Sequence, residues 1–171
     1  TVVVTDVGDA MFGAADLFIH QRTEFIGPAY YTSMGFAIPA AIGIGKASAR
    51  SRPLVLVGDG AFQMTGLELA TLVRNKLPAV VIVLNNSGFG TERPMQDGPY
   101  NDVASFAYHR MPEVLGAGRG FLVRTPAEFD AALKTADEHR RELVIIEAIL
   151  DRDDRSPALQ RLTKRLAERI R

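Results

Sequence analysis

The sequence contains no cysteine, which excludes disulfides and thiolate-bound metal. It also lacks an excess of either charge: 20 basic and 20 acidic residues leave no global field to draw the chain to nucleic acid or to a membrane surface. No apolar run approaches the roughly 20 residues that a transmembrane helix needs. The N-terminus does not combine a basic segment with an apolar one, so no targeting signal is read and a cytoplasmic address is expected. Internal repeats and low-complexity tracts are absent as well. These absences leave a small molecule as the expected partner, with no nucleic acid and no membrane.

What is present suffices for one core, since the chain has 171 residues, 47% of them hydrophobic. It opens on Thr1 and runs at once into "TVVVTD", which reads as a strand already inside a fold, so a piece of a longer protein is expected. Strand-like runs are predicted over Thr1 to Thr5, Leu54 to Val57, Val80 to Leu84, Phe121 to Arg124 and Leu143 to Ala148, with helical patterns between most of them. The runs are continuously apolar rather than alternating, as in strands covered on both faces. The expected fold is α/β: a doubly wound, mostly parallel sheet with helices on both faces. Thr125-Pro126 opens a helix with Glu128 in its first turn. Residues 151–171 read as a charged, solvated linker followed by an amphipathic helix, with Leu159, Leu162, Leu166 and Ile170 on one stripe.

The most informative stretch is "LVLVGDGAFQMTGLELATLVRNKLPAVVIVLNN". A strand leaves through Gly58-Asp59-Gly60, a helix over about Gly66 to Asn75 returns, and a second strand stops at Asn85-Asn86. A helix of that length climbs roughly 15 Å and the strand retraces roughly 20 Å, which brings Asp59 and Asn86 to the same sheet edge. In open parallel sheets ligands bind at that carboxyl edge, and glycines there let the backbone approach an anion. A carboxylate and an amide oxygen are hard ligands suited to Mg²⁺ on a diphosphate, and a carbonyl from the turn "NNSGFG" can add a third. Two other phosphate motifs fail. The dinucleotide fingerprint breaks at Gln63, and "GIGKAS" lacks both the hydroxyl and the earlier glycine of a phosphate loop.

Gly58-Asp59-Gly60, then 24 residues, then Asn85-Asn86 resembles the signature of thiamine-diphosphate enzymes. The resemblance implies Mg²⁺ held by Asp59, by Asn86 and by the carbonyl of Gly88, with Gly58, Gly60 and Ala61 against the cofactor. "SMGFAIPAAIGIG" resembles the segment whose bulky apolar residue wedges between the two cofactor rings. Here that residue is Met34, and the carbonyl of Thr32 would accept from the 4'-amino group. Alone, Met34 would read as core filler. "DVGDAMFGA" is similar to the family's first strand-to-helix turn, which places Gly8 and Asp9 beside the diphosphate; Asp9 as a helix N-cap is the competing reading.

Within the family, "NNSGFGTERPMQDGPYNDVASF" resembles the loop of 2-oxo acid decarboxylases of the pyruvate and indolepyruvate type. It implies that Glu92 lies over the reacting carbon and acts as the acid after CO₂ departs. Without the resemblance Glu92 would be a solvated charge paired with Arg93. The implied arrangement assigns residues 1–150 to a thiamine diphosphate and Mg²⁺ domain. A second carboxylate comes from a pyrimidine-binding domain, upstream or on another subunit, so that this chain holds half a site in a homodimer or homotetramer. The implied substrate is a small 2-oxo acid. An acetolactate-synthase-like carboligase and a non-catalytic binding domain are the alternatives. His20, His109 and His139 are expected to be surface or capping residues, and Phe12, Phe36, Phe62 and Phe106 to pack in the core, with Phe89 near substrate.

Overall fold

The computed structural model describes residues 1–18 and 25–170, with side chains through 163. Six strands form one sheet: β1 (Val2–Thr5), β2 (Phe25–Ile26), β3 (Pro53–Gly58), β4 (Ala79–Asn85), β5 (Arg119–Val123) and β6 (Leu143–Ile149). Their spatial order is β2-β1-β3-β4-β6-β5, and every pairing is parallel. The five expected strands are present with shifts of one or two residues at their ends, and β2 is an addition that sequence reading missed. It has two residues, too few for any periodicity to register.

Among the described residues, six α-helices connect the strands, α1 (Asp9–Ala14), α2 (Ala37–Ala47), α3 (Asp59–Thr65), α4 (Leu69–Arg74), α5 (Met111–Leu115) and α6 (Pro126–Glu138), and α7 (Pro157–Ile170) follows β6. Consecutive strand residues point to opposite faces, and in the central strands β4 and β6 both faces are buried. Val55, Val57, Val81, Val83 and Ile145 pack against α2, α3 and α4 through Ile38, Phe62, Leu69 and Leu72. Val80, Ile82, Val144 and Ile146 pack on the other face against Ala132 and Ala136 of α6. That double burial is why the strands are apolar throughout rather than alternating. Helix α6 begins with a capping box in which Thr125 accepts from the Glu128 amide and Glu128 accepts from the Thr125 amide.

The expected helix over Gly66 to Asn75 needs correction. Helix begins immediately at Asp59, runs to Thr65, and continues through a 3₁₀ turn over Gly66–Glu68 into α4. The cause is local: Gly58 takes the extended N-cap conformation and the Asp59 carboxylate accepts from the Gly60 amide at 2.8 Å, so an acid in the first turn starts the helix with no intervening loop. Phe62 is buried as expected and Phe12 and Phe36 are half-buried, whereas Phe106 is exposed. Leu159 is buried and α7 packs on α1, while the side chains of Leu166 and Ile170, and all of His20, lie outside the described residues.

Candidate functional site

The strand order reverses beside β1: the chain runs outward from β1 to β2, then returns to place β3 on the other side of β1. Such a reversal opens a crevice at the carboxyl ends of the two strands, because their connections leave in opposite directions. A cavity of about 480 Å³ occupies that place. Its walls are the residues after β1 (Gly8, Asp9), the segment before α2 (Thr32, Met34), the β3–α3 junction (Gly58, Asp59, Gly60, Ala61) and the loop after β4 (Asn86, Gly88, Phe89, Glu92). The candidate cofactor, metal and catalytic residues therefore meet at one cavity, although they come from four separate segments.

Asp59 is 1% exposed. Oδ1 accepts from the Gly60 amide, and Oδ2 is buried with no hydrogen-bond partner among the described residues. Burial pushes its carboxyl above the ordinary range, opposed by the nearby amides of Gly60, Gly88 and Ser87 and by the Arg93 guanidinium. A buried carboxylate oxygen without a donor is costly unless a cation meets it. The register pairs Gly58 with Leu84, so Asp59 and Asn86 follow adjacent strands off the same edge. A Cβ built on Gly58 would meet nothing within 4 Å, whereas on Gly60 it would strike the Phe89 ring at 2.4 Å. Gly58 thus leaves backbone open to the cavity, and Gly60 lets Phe89 close over the helix start. Among the described residues no cluster of three or more His, Cys, Asp or Glu could hold a metal. One carboxylate, one amide and one carbonyl make a hard, oxygen-only set, which suits Mg²⁺ and fits the candidate residues.

Met34 is 45% exposed, which is unlike core filler. The segment carrying it is fixed by Asp6, a fully buried carboxylate at the end of β1 that sequence reading passed over. Asp6 accepts from the amides of Gly35 at 3.0 Å and Ala37 at 2.9 Å. Gly35 stands at φ +84° and its carbonyl accepts from Thr65 Oγ1 at 2.9 Å. The available signal was that both "VVVTD" and "LVLVGD" end an apolar run on an acid.

Four further readings are amended. Asp9 is not the N-cap of α1, because Gly8 holds that position at φ +82°. The Asp9 carboxylate instead accepts from the Ser156 amide at 2.7 Å and from the Ser156 hydroxyl. Residues 151–154 are exposed as their charges foretell, yet they also border the site: Asp154 lines the cavity together with the preceding Leu150, and Arg152 pairs with Asp97 at 3.0 Å. Glu92 is exposed at the cavity wall, but its neighbour Arg93 pairs with Asp102 at 3.1 Å rather than with Glu92. His109 is no simple surface residue. Its Nδ1 lies 2.5 Å from Glu147 Oε2, and Glu147 also accepts from Asn85 Nδ2 at 2.7 Å. Asn85 Oδ1 in turn accepts from the Ser87 amide at 3.2 Å, so the first asparagine of the pair shapes the turn that presents the second. A lone acid inside "LVIIEAIL" was the trace of this network. His139 ends α6 as a C-cap residue.

Residues 6–148 match the model of a family described as thiamine pyrophosphate enzyme, C-terminal TPP binding domain. An alpha-keto-acid decarboxylase from Mycolicibacterium paratuberculosis is 37% identical over 155 residues, covering 88% of this chain and 28% of the relative. One from Mycobacterium tuberculosis has the same identity and coverage. One from Mycobacterium ulcerans is 36% identical over 170 residues, covering 97% of this chain and 30% of the relative. The chain thus spans under a third of the length of these curated relatives.

Proposed function

The chain belongs to the thiamine pyrophosphate enzyme family as its C-terminal TPP-binding domain, and from that premise we propose that it is the diphosphate- and Mg²⁺-binding half of a non-oxidative 2-oxo acid decarboxylase. The observation that carries the metal assignment is the buried, unpartnered Oδ2 of Asp59 in the cavity wall. Asp59, the Asn86 amide oxygen and the Gly88 carbonyl would hold Mg²⁺, and Gly58, Gly60 and Ala61 would bring backbone to the diphosphate. Gly8 contributes the same close approach from the other wall. Asp9 acts one step back, as the anchor of Ser156.

Thiamine diphosphate, when bound, supplies the electron sink for loss of CO₂ from a 2-oxo acid. This chain's residues supply position and protons. Met34, held by Asp6 through the neighbouring Gly35, would enforce the folded shape of the cofactor, and the Thr32 carbonyl would fix its amino group. Glu92 is accessible and stands at the cavity wall, where a carboxyl can deliver a proton to the reacting carbon after CO₂ has left. The names of the relatives favour decarboxylation over carboligation.

The site reads as half of one. Tyr30, Tyr31, Met34 and Met95 are exposed in the segments that border the cavity, and so much apolar surface at one rim is suited to burial by another domain. A pyrimidine-binding domain, upstream or on a second subunit, would cover it and bring the missing carboxylate, within a homodimer or homotetramer. The test is calorimetric titration of thiamine diphosphate with Mg²⁺ into the assembled enzyme and its Asp59→Ala variant. The variant is expected to lose Mg²⁺-dependent affinity, and unchanged affinity would sink the assignment.

A further inference from the structure

Arg93 follows Glu92 in a polar loop, where an arginine ordinarily keeps its guanidinium in water. Its side chain is instead 2% exposed, and its one carboxylate partner among the described residues, Asp102, is 52% exposed. The guanidinium spends its donors mainly on backbone. Nη1 donates to the Asn86 carbonyl at 3.2 Å and the Arg152 carbonyl at 2.6 Å, and Nη2 to the Ser87 carbonyl at 3.0 Å as well as to Asp102. Burying a cation against neutral carbonyls forfeits much of its hydration, and a half-exposed partner recovers little of it. Stability alone is a poor account of such an arrangement.

The carbonyls it holds are informative. Asn86 and Ser87 form the turn between β4 and Gly88, and Ser87 sits at φ +61°, in the left-handed region that a serine rarely adopts. Nη2 also fills the space beside Gly88, 2.5 Å from where a Cβ would stand. One planar, forked group thus fixes the backbone of the two residues that lead into Gly88, and its third bond ties them to the segment after β6. A lysine could not reproduce this, because its ammonium is a single point and not a fork.

Resting on the metal assignment above, we propose that Arg93 is a positioning residue for the cation. It clamps the 86–88 turn so that the Asn86 amide oxygen and the Gly88 carbonyl are set for Mg²⁺ across from Asp59, and it takes its purchase from the Arg152 carbonyl. Arg93 touches neither metal nor cofactor in this role.

The experiment uses the assembled enzyme with Mn²⁺ as a spectroscopically visible replacement for Mg²⁺, titrated in the presence of thiamine diphosphate and followed by electron paramagnetic resonance. The metal-free unfolding midpoint of each variant is measured beside it. Loss of a residue that orients metal ligands typically costs about 10- to 100-fold in metal affinity. Arg93→Met is expected to weaken Mn²⁺ by at least about tenfold and Arg93→Lys by less. Asp102→Asn keeps the carbonyl bonds and should bind within about twofold of wild type, the behaviour of an exposed ion pair. Wild-type Mn²⁺ affinity in folded Arg93→Met overturns the clamp. Where Arg93→Met does not fold, Arg93→Lys decides: weakened Mn²⁺ at an unchanged metal-free midpoint supports the clamp, and wild-type affinity overturns it. Asp59→Ala separates the two levels. If Asp59→Ala binds Mn²⁺ like wild type, the metal assignment falls and the clamp with it; if Asp59→Ala loses Mn²⁺ but Arg93→Met does not, only the clamp falls.

Discussion

Asp6→Ala is the perturbation that most directly tests how the cavity wall around Met34 is held. Asp6 is fully buried, and its two oxygens accept from three amides: Val7 at 3.0 Å, Gly35 at 3.0 Å and Ala37 at 2.9 Å. Ala37 is the first residue of α2, where amides have no intrahelical acceptor and the helix dipole favours an anion. Alanine would leave the Gly35 and Ala37 donors buried and unpaired, at about 1–3 kcal/mol each. The Val7 amide is only partly buried and can turn to water. The expected loss is therefore about 2–6 kcal/mol, which for a chain of this size lowers the melting midpoint by roughly 5–20 °C. Asp6→Asn retains one acceptor but points an NH₂ at another donor, so about half of the loss should remain. Urea denaturation gives the free energy, and hydrogen exchange at the Gly35 and Ala37 amides localises it. A loss below about 1 kcal/mol, or undiminished protection of Ala37, would refute the account in which one carboxylate anchors both the helix start and the wedge segment.

The sequence showed the parts of the fold that repeat along the chain and hid those made by a single side chain reaching across it. Continuous apolar runs betrayed doubly covered strands, and the spacing from Asp59 to Asn86 put them at one edge because helix rise and strand rise are fixed by backbone geometry. Of the cavity walls, the glycine turn around Asp59 and the strand end at Asn86 were legible for the same reason, whereas Gly8, Asp9, Thr32, Met34, Gly88 and Glu92 were placed only by the resemblance to thiamine-diphosphate enzymes. The pairing of Glu92 with Arg93, which would be read in the absence of the resemblance, does not form, because adjacency in sequence says nothing of where a long side chain ends. The hold of Ser156 on Asp9 spans 147 residues and that of Glu147 on Asn85 spans 62. No periodicity encodes such pairs. What the sequence did carry was their cost: an acid in "LVIIEAIL" and an acid closing "VVVTD" are anomalies in apolar runs, and a buried charge has to be met by donors somewhere. Those anomalies mark where long-range support of the site is to be sought, without naming the partner.

Three smaller perturbations probe other parts of the frame. Gly88→Ala would place a Cβ 2.1 Å from the Asn101 carbonyl oxygen, a backbone atom that cannot step aside, so urea denaturation should show a loss of about 1–3 kcal/mol. Leu159→Ala should undock α7 from α1 at about 2–5 kcal/mol, detected as faster proteolysis of the tail with the sheet still protected; an unchanged cleavage rate would mean that Leu159 is not the anchor. Glu128→Gln tests the cap of α6 through pH. The amides of Arg124 and Thr125 hold the Glu128 carboxyl below its ordinary value of 4.5, so between that value and the lowered one the folded chain binds fewer protons than the unfolded chain. The contribution of Glu128 is complete above 4.5 and disappears as pH falls through the lowered folded value. Glutamine cannot titrate, so the variant should be less stable than wild type at neutral pH, and the difference should shrink on acidification as wild type loses its own carboxylate. A difference that stayed constant from neutral to acid pH would show that the ionised cap contributes nothing, and that the Thr125 hydroxyl alone starts the helix.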